Sequence, residues 1–141
     1  MQIVPFEMKH LRDIEVRKWD RTLVASVDPR PMIAAGPAFS LITKDKVIGI
    51  GGVALLWEGV GEAWIISSPL FPKCPLAVTK AARNVLGLVE KGRKLHRIQA
   101  VVLEDHPTGH KWVKSLGFKE EGRMAAYGPN QENFIRYARV K

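Results

Sequence analysis

The sequence predicts one α/β domain built on a mixed, mostly antiparallel sheet, with a central parallel βαβ pair and helices on both faces. Three observations predict it. The apolar runs "AFSLIT", "VIGIGGVALLW" and "AWIIS" are separated only by short turns, so they pair antiparallel. A long amphipathic pattern then leads into "HRIQAVVLE", an almost continuous apolar run suited to a buried parallel strand. Strand, crossover helix and strand make a right-handed βαβ unit. The arms "FKEEGRMAAY" and "NFIRYARV" then close a hairpin around "GPNQE". A length of 141 residues suits a single unit, 1–141, with one substantial core.

The elements follow in order. "QIVPF" reads as a short first strand. After Pro5, Met8, Leu11 and Ile14 recur at helical spacing, with acidic Glu7 near the start. A second short helix is expected from Asp20 to about Val27. "DPRPMIAAGP" (Asp28 to Pro37) reads as a loop, because its prolines and Gly36 oppose regular structure. Gly49, Gly51 and Gly52, inside the strand after the "KDK" turn, suggest a bulge or a close backbone approach. "EGVGE" makes the next turn. In the crossover helix Val78, Ala82, Val85 and Val89 share one face, and Gly92 is a plausible terminator. In "DHPTGHKWVKSLGF", Pro107 suits a first helical turn, so Asp105 or His106 is the N-cap. Gly117 suits the left-handed position after the helix, with Phe118 packing back on its last turn.

Composition narrows the function classes. The chain is 46% hydrophobic and 26% charged, ordinary for a globular protein. No apolar run reaches the roughly 18 residues of a membrane helix. "MQIVPFEMKH" has no basic region followed by a long apolar stretch, so no signal peptide is expected. Cys74 is the one cysteine, which rules out an internal disulfide and fits a cytoplasmic setting. The net charge of +8 points to solubility or to an anionic partner. The densest basic segment, "KGRKLHR" (Lys91 to Arg97), holds no aromatic residue, so nucleic acid is not the expected partner. His106 and His110 are spaced i, i+4 with no evident third ligand, and no metal site is expected. His96 and His110 read as surface histidines, Trp112 as a packing residue, and Cys74 as structural.

The order of elements, together with "HPTGHKWVKSLGF" and "SLGFKEEG" (Ser115 to Gly122), resembles the GNAT superfamily of acetyl-CoA-dependent N-acyltransferases over roughly Phe39 to Tyr127. Added to "YGPNQENFIRYARV", the pattern looks most like GNAT-like proteins encoded by phages and prophages, some related to internal virion or morphogenesis proteins. The resemblance implies a GNAT-like fold in which the strands Ala63–Ser67 and Arg97–Leu103 splay apart at their ends. The pantetheine arm of acetyl-CoA then lies in the gap at Ile66, Ser67 and Ser68. A backbone N–H there polarises the thioester carbonyl. The amine loses a proton to a carboxylate or a water chain, and a general acid protonates the leaving thiolate. Glu62, His106 and Tyr127 occupy the places where those roles fall.

The sequence also departs from the family pattern. The family's pyrophosphate loop runs Arg or Gln, two residues, Gly, one residue, then Gly or Ala, so that backbone N–H groups wrap the phosphates. Here "FPKCPLAV" stands in that place, and no glycine lies between Gly61 and Gly87. Pro72 and Pro75 have no N–H. Lys73 and Lys80 remain to bind the phosphates by charge. The family tyrosine four residues before the glycine of "LGF" is Val113, and the family asparagine eleven before it is His106. Two functions are therefore expected in competition. One is N-acetyl transfer from acetyl-CoA to an amine acceptor. The other is an inactive GNAT-like phage or prophage protein acting in virion assembly or as an interaction module, with a phage protein as partner and a bacterial host cytoplasm as its setting. A homodimer is compatible with either.

Overall fold

A computed structural model describes residues 1–17, 20 and 27–141. Its elements are β1 (Gln2–Pro5), α1 (Met8–Asp13), α2 (Arg30–Ala34), β2 (Ala38–Thr43), β3 (Lys46–Trp57), β4 (Val60–Ser67), a 3-10 turn (Phe71–Lys73), α3 (Pro75–Gly92), β5 (Arg97–Leu103), α4 (Pro107–Ser115), β6 (Lys119–Met124) and β7 (Phe134–Val140). The seven strands form one sheet in the order β1-β2-β3-β4-β5-β7-β6. Every neighbouring pair is antiparallel except β4 with β5. This is the mixed sheet with a central parallel βαβ pair that the sequence predicts.

The two faces are covered differently. Val53, Ile98, Ala100, Val102 and Tyr137 meet Leu86 and Val89 of α3 and Val113 of α4 in the larger core. Ile50 and Ile66 face the other way and pack with Ile14, beside Phe6, Leu11 and Trp64. Each such aliphatic side chain withdrawn from water contributes about 1.5–3 kcal/mol before chain entropy is charged against it. Beside the larger core, Ile48 packs with Phe71 and Val78, which ties the turn and the start of α3 to the sheet.

Local chemistry explains the ends of the elements. Gly59 turns the β3–β4 hairpin at φ +83°, a conformation suited to glycine. α4 closes as expected: Gly117 takes φ +92° and the Phe118 N–H bonds the Val113 carbonyl at 3.1 Å. Gly52 is a close approach. A Cβ there would fall against the Pro37 carbonyl oxygen and the Trp64 ring.

Four expectations need correction or trimming. Residues 30–34 are helical, not loop. The Asp28 carboxylate accepts the Arg30 N–H at 3.0 Å, and Pro31 occupies the first turn, where its missing N–H costs nothing. α1 stops at Asp13, because Ile14 is already extended at φ −70°, ψ 132°. The "EGVGE" turn shrinks to Glu58 and Gly59, and β4 begins at Val60. The helix expected from Asp20 to Val27 falls on residues 21–26, which lie outside those described.

Gly52→Ala is expected to cost about 1–3 kcal/mol, since its methyl displaces backbone and not a flexible side-chain tip. Urea denaturation of both proteins measures it.

Candidate functional site

The site begins where β4 and β5 part. Their ladder has three rungs, Val60 with Arg97, Gly61 with Ile98 and Glu62 with Gln99. Beyond it each strand keeps its outer neighbour. β4 stays paired to β3 up to Ser67, and β5 stays paired to β7 up to Leu103. The inner edges of both strands therefore open into a V with Glu62 and Gln99 at its vertex.

Backbone direction along β4 follows from its end. The Ser68 N–H bonds the Ile48 carbonyl of β3 at 2.9 Å, whereas the Ser67 N–H and C=O bond elsewhere. Strand alternation then turns the backbone groups of Ala63, Ile65 and Ser67 toward the gap and those of Ile66 toward β3. The last rung, Glu62 with Gln99, takes up the Ala63 N–H; beyond it the Ala63 C=O and the Ile65 N–H and C=O have no ladder partner on that side among the described residues. Ile65 is 37% exposed.

Ser67 is already engaged. Its N–H donates to Asp20 Oδ2 at 2.9 Å and its hydroxyl to the same oxygen at 2.6 Å. Its carbonyl accepts the Arg17 N–H at 2.8 Å. Burial pushes the Asp20 carboxyl above the ordinary aspartate range, against the Ser67 hydrogen bonds and the Arg17 charge. Asp20 was not among the residues singled out from sequence. Its partner lies 47 positions away, and no local pattern announces the contact.

The vertex is polar. Glu62 Oε1 accepts from Gln99 Nε2 at 2.9 Å and from Arg136 Nη1 at 2.9 Å. Arg97 extends the network, bonding Gln99 at 3.0 Å and pairing with Glu121. Glu62 is thus held by β5 and β7 together, more firmly than a turn carboxylate.

His106 caps α4 on the opposite arm. Its Nδ1 accepts the Gly109 N–H at 3.4 Å and lies 3.2 Å from the Thr108 hydroxyl. Burial, then the Arg17 and His110 charges, push its imidazole below the usual histidine range. The Arg17 influence links the two arms, because Arg17 also bonds Ser67. Tyr127 lies in the β6–β7 hairpin, half exposed and edge-on to Phe134 at 5.5 Å. Phe134 pairs with Leu103, so Tyr127 belongs to the end of the sheet where β5 runs out. His110 is not a surface histidine. Its Nδ1 is 2.7 Å from the Tyr137 hydroxyl and its Nε2 is 2.9 Å from the Glu104 carbonyl, because α4 lays this face on β7. Trp112 is the packing residue expected, donating to Thr79 at 3.0 Å and meeting Phe71 edge-on.

The segment after β4 uses its own N–H groups. Leu70 N–H bonds Ser68 Oγ at 3.2 Å, Phe71 N–H the Ser68 carbonyl at 3.0 Å, Lys73 N–H the Leu70 carbonyl at 3.1 Å and Cys74 N–H the Phe71 carbonyl at 3.3 Å. Pro69, Pro72 and Pro75 have none to give. Lys73 and Lys80 are exposed on the turn and on α3. Among the described residues no His, Cys, Asp or Glu cluster could hold a metal ion, and no helix is long and apolar enough to cross a membrane.

Solved structures of similar fold include N-acetyltransferases. A putative phosphinothricin N-acetyltransferase aligns over 99% of this chain and 97% of its own, with a TM-score of 0.77 and 11% identity. A GNAT-family acetyltransferase from Bacillus anthracis aligns over 98% and 93%, with a TM-score of 0.72 and 21% identity. The ribosomal-protein-S5-alanine acetyltransferase from Vibrio fischeri aligns over 99% and 92%, with a TM-score of 0.71 and 17% identity. No protein-family model and no curated protein matches the sequence. The chain has the GNAT fold.

Asp20→Ala is expected to cost about 1–3 kcal/mol, because the buried Ser67 N–H loses its acceptor. Asp20→Asn keeps an acceptor oxygen and loses less; thermal melts separate the two. By NMR titration His106 should protonate below an exposed histidine. Since its folded pKa is depressed, its contribution to stability is present above the unfolded value and is lost as pH falls through the folded one.

Proposed function

We propose that the chain is a GNAT-type N-acyltransferase that moves an acetyl group from acetyl-CoA to an amine by direct attack. The observation that carries this reading is the V between β4 and β5, whose inner β4 edge turns the Ala63 C=O and the Ile65 N–H and C=O toward the gap. An extended thioester arm with amide groups pairs with such an edge as an added strand does.

In this reading the amine nitrogen attacks the thioester carbonyl carbon, the carbon–sulfur bond breaks, and an amide and a thiolate form. A gap-facing N–H of β4 steadies the oxyanion. Glu62, anchored at the vertex by Arg136 and Gln99, takes the amine proton directly or through water. His106 protonates the thiolate from the other arm when its imidazole carries the extra proton, and the proton held by Glu62 leaves to solvent. Tyr127 stands at the rim, where the acceptor amine enters. Ile66, Ser67 and Ser68 frame the end of the strand, and Lys73 and Lys80 offer positive charge to the phosphates.

A second reading is an inactive GNAT-like phage or prophage protein acting in virion assembly or as an interaction module. The spent N–H groups from Ser67 to Cys74 favour it, because they leave no nest for a diphosphate.

Calorimetry with acetyl-CoA, followed by thiol release with a panel of amines, separates the readings. Binding with turnover supports the first; no heat and no thermal shift at millimolar acetyl-CoA supports the second. Glu62→Gln, and His106→Asn, which retains an N-cap, are each expected to lower kcat about 100-fold with the fold intact.

A further inference from the structure

Every backbone N–H between the end of β4 and the start of α3 has an acceptor inside the chain. Ser67 is taken by Asp20, Ser68 by Ile48, Leu70 and Phe71 by Ser68, Lys73 by Leu70 and Cys74 by Phe71. The intervening positions are Pro69, Pro72 and Pro75, which have no N–H. A backbone nest for an anion needs successive N–H groups pointing outward together, and this stretch has none to offer. Its conformation is also fixed by packing. Phe71 is 7% exposed, set between Ile48 and Val78 and edge-on to Trp112 at 5.4 Å. Turning the N–H groups outward would require extracting Phe71 and breaking the 3-10 turn. The first N–H groups past the stretch are those of Leu76 and Ala77, in an open helical turn where Leu76 is 87% exposed and Cys74 provides no side-chain cap. Lys73 and Lys80 are exposed and act only as screened point charges.

The pantetheine side differs. The Ala63 C=O and the Ile65 N–H and C=O face the gap and have no ladder partner there among the described residues. Between them, the two halves of the site separate the parts of a thioester substrate.

We infer that the acyl donor is recognised as a pantetheine thioester, with the nucleotide diphosphate contributing little to binding. This rests on the acyltransferase reading above. The substrate class is therefore any acyl thioester ending in a pantetheine arm, with or without the adenosine phosphates. Binding that depends on the arm makes the truncated thioester nearly as good a ligand as the full one. A phosphate nest would instead make the nucleotide half a large share of the affinity.

The test is calorimetric and needs no acceptor. Acetyl-CoA, S-acetylpantetheine and adenosine 3′,5′-bisphosphate are titrated separately into the full chain at moderate salt. The expected result is a Kd for S-acetylpantetheine within about tenfold of that for acetyl-CoA, with no saturable binding of the bisphosphate. A preference for acetyl-CoA beyond that overturns the inference and leaves the acyltransferase reading standing. Binding of neither thioester overturns both. A Pro72→Gly, Pro75→Gly variant, checked for an unchanged melting profile, supplies the missing N–H groups and should shift the ratio toward acetyl-CoA. An unchanged ratio in a folded variant counts against the backbone explanation.

Discussion

The short inner ladder between β4 and β5 is the constraint on which the rest depends. Two parallel strands that part after three rungs leave backbone groups unpaired in the middle of a sheet, an arrangement that is costly unless both strands are held from outside. Both are. β3 pairs with β4 along its length and β7 pairs with β5 through every residue from Arg97 to Leu103. The vertex is fastened by side chains. Glu62 on β4 receives Gln99 from β5 and Arg136 from β7, so one carboxylate oxygen joins three strands. Helices α3 and α4 then cover one face, and their N-termini come to the open end because each follows one of the parting strands.

The chain manages part of the exposed β4 edge by itself. Asp20 and Arg17 cover Ser67 much as an adjacent strand would, taking its N–H and its C=O. The carboxylate is isolated enough that burial outweighs its two hydrogen bonds and the Arg17 charge. What stays uncovered among the described residues is the inner edge from the Ala63 C=O to the Ile65 N–H and C=O. The open part of the gap therefore lies next to the vertex, near Glu62, and the closed part lies next to the proline-rich turn.

The sequence showed the framework well and the site only partly. Element order, the parallel crossover, the cap at His106 and the turn at Gly117 each rest on signals within a few residues: periodicity, a proline in a first turn, a glycine after a last one. α2 was missed because its prolines were read as breakers, whereas a proline in a first helical turn is neutral. Asp20 and the His110–Tyr137 pair were missed for a different reason. Their partners lie 47 and 27 positions away, and pairing across such distances is set by packing, not by local pattern. Glu62 was picked out by its place before the gap, but its grip by Arg136, 74 positions on, was not legible.

The three prolines acquire a physical meaning from these contacts. Proline deletes an N–H wherever it stands, but in this stretch the neighbouring residues lose theirs as well. With Pro69 and Pro72 fixing φ, the chain between them folds into a tight turn in which Ser68 serves three ways: its hydroxyl takes Leu70, its carbonyl takes Phe71, and its own N–H reaches Ile48. A glycine-rich loop solves the same local problem differently, leaving its N–H groups to be satisfied by an anion. The two solutions exclude each other, because each N–H is spent once. A chain that has satisfied this loop internally gains stability without a ligand and gives up the backbone grip on phosphate. Any binding at the gap must then draw its energy from the strand edge.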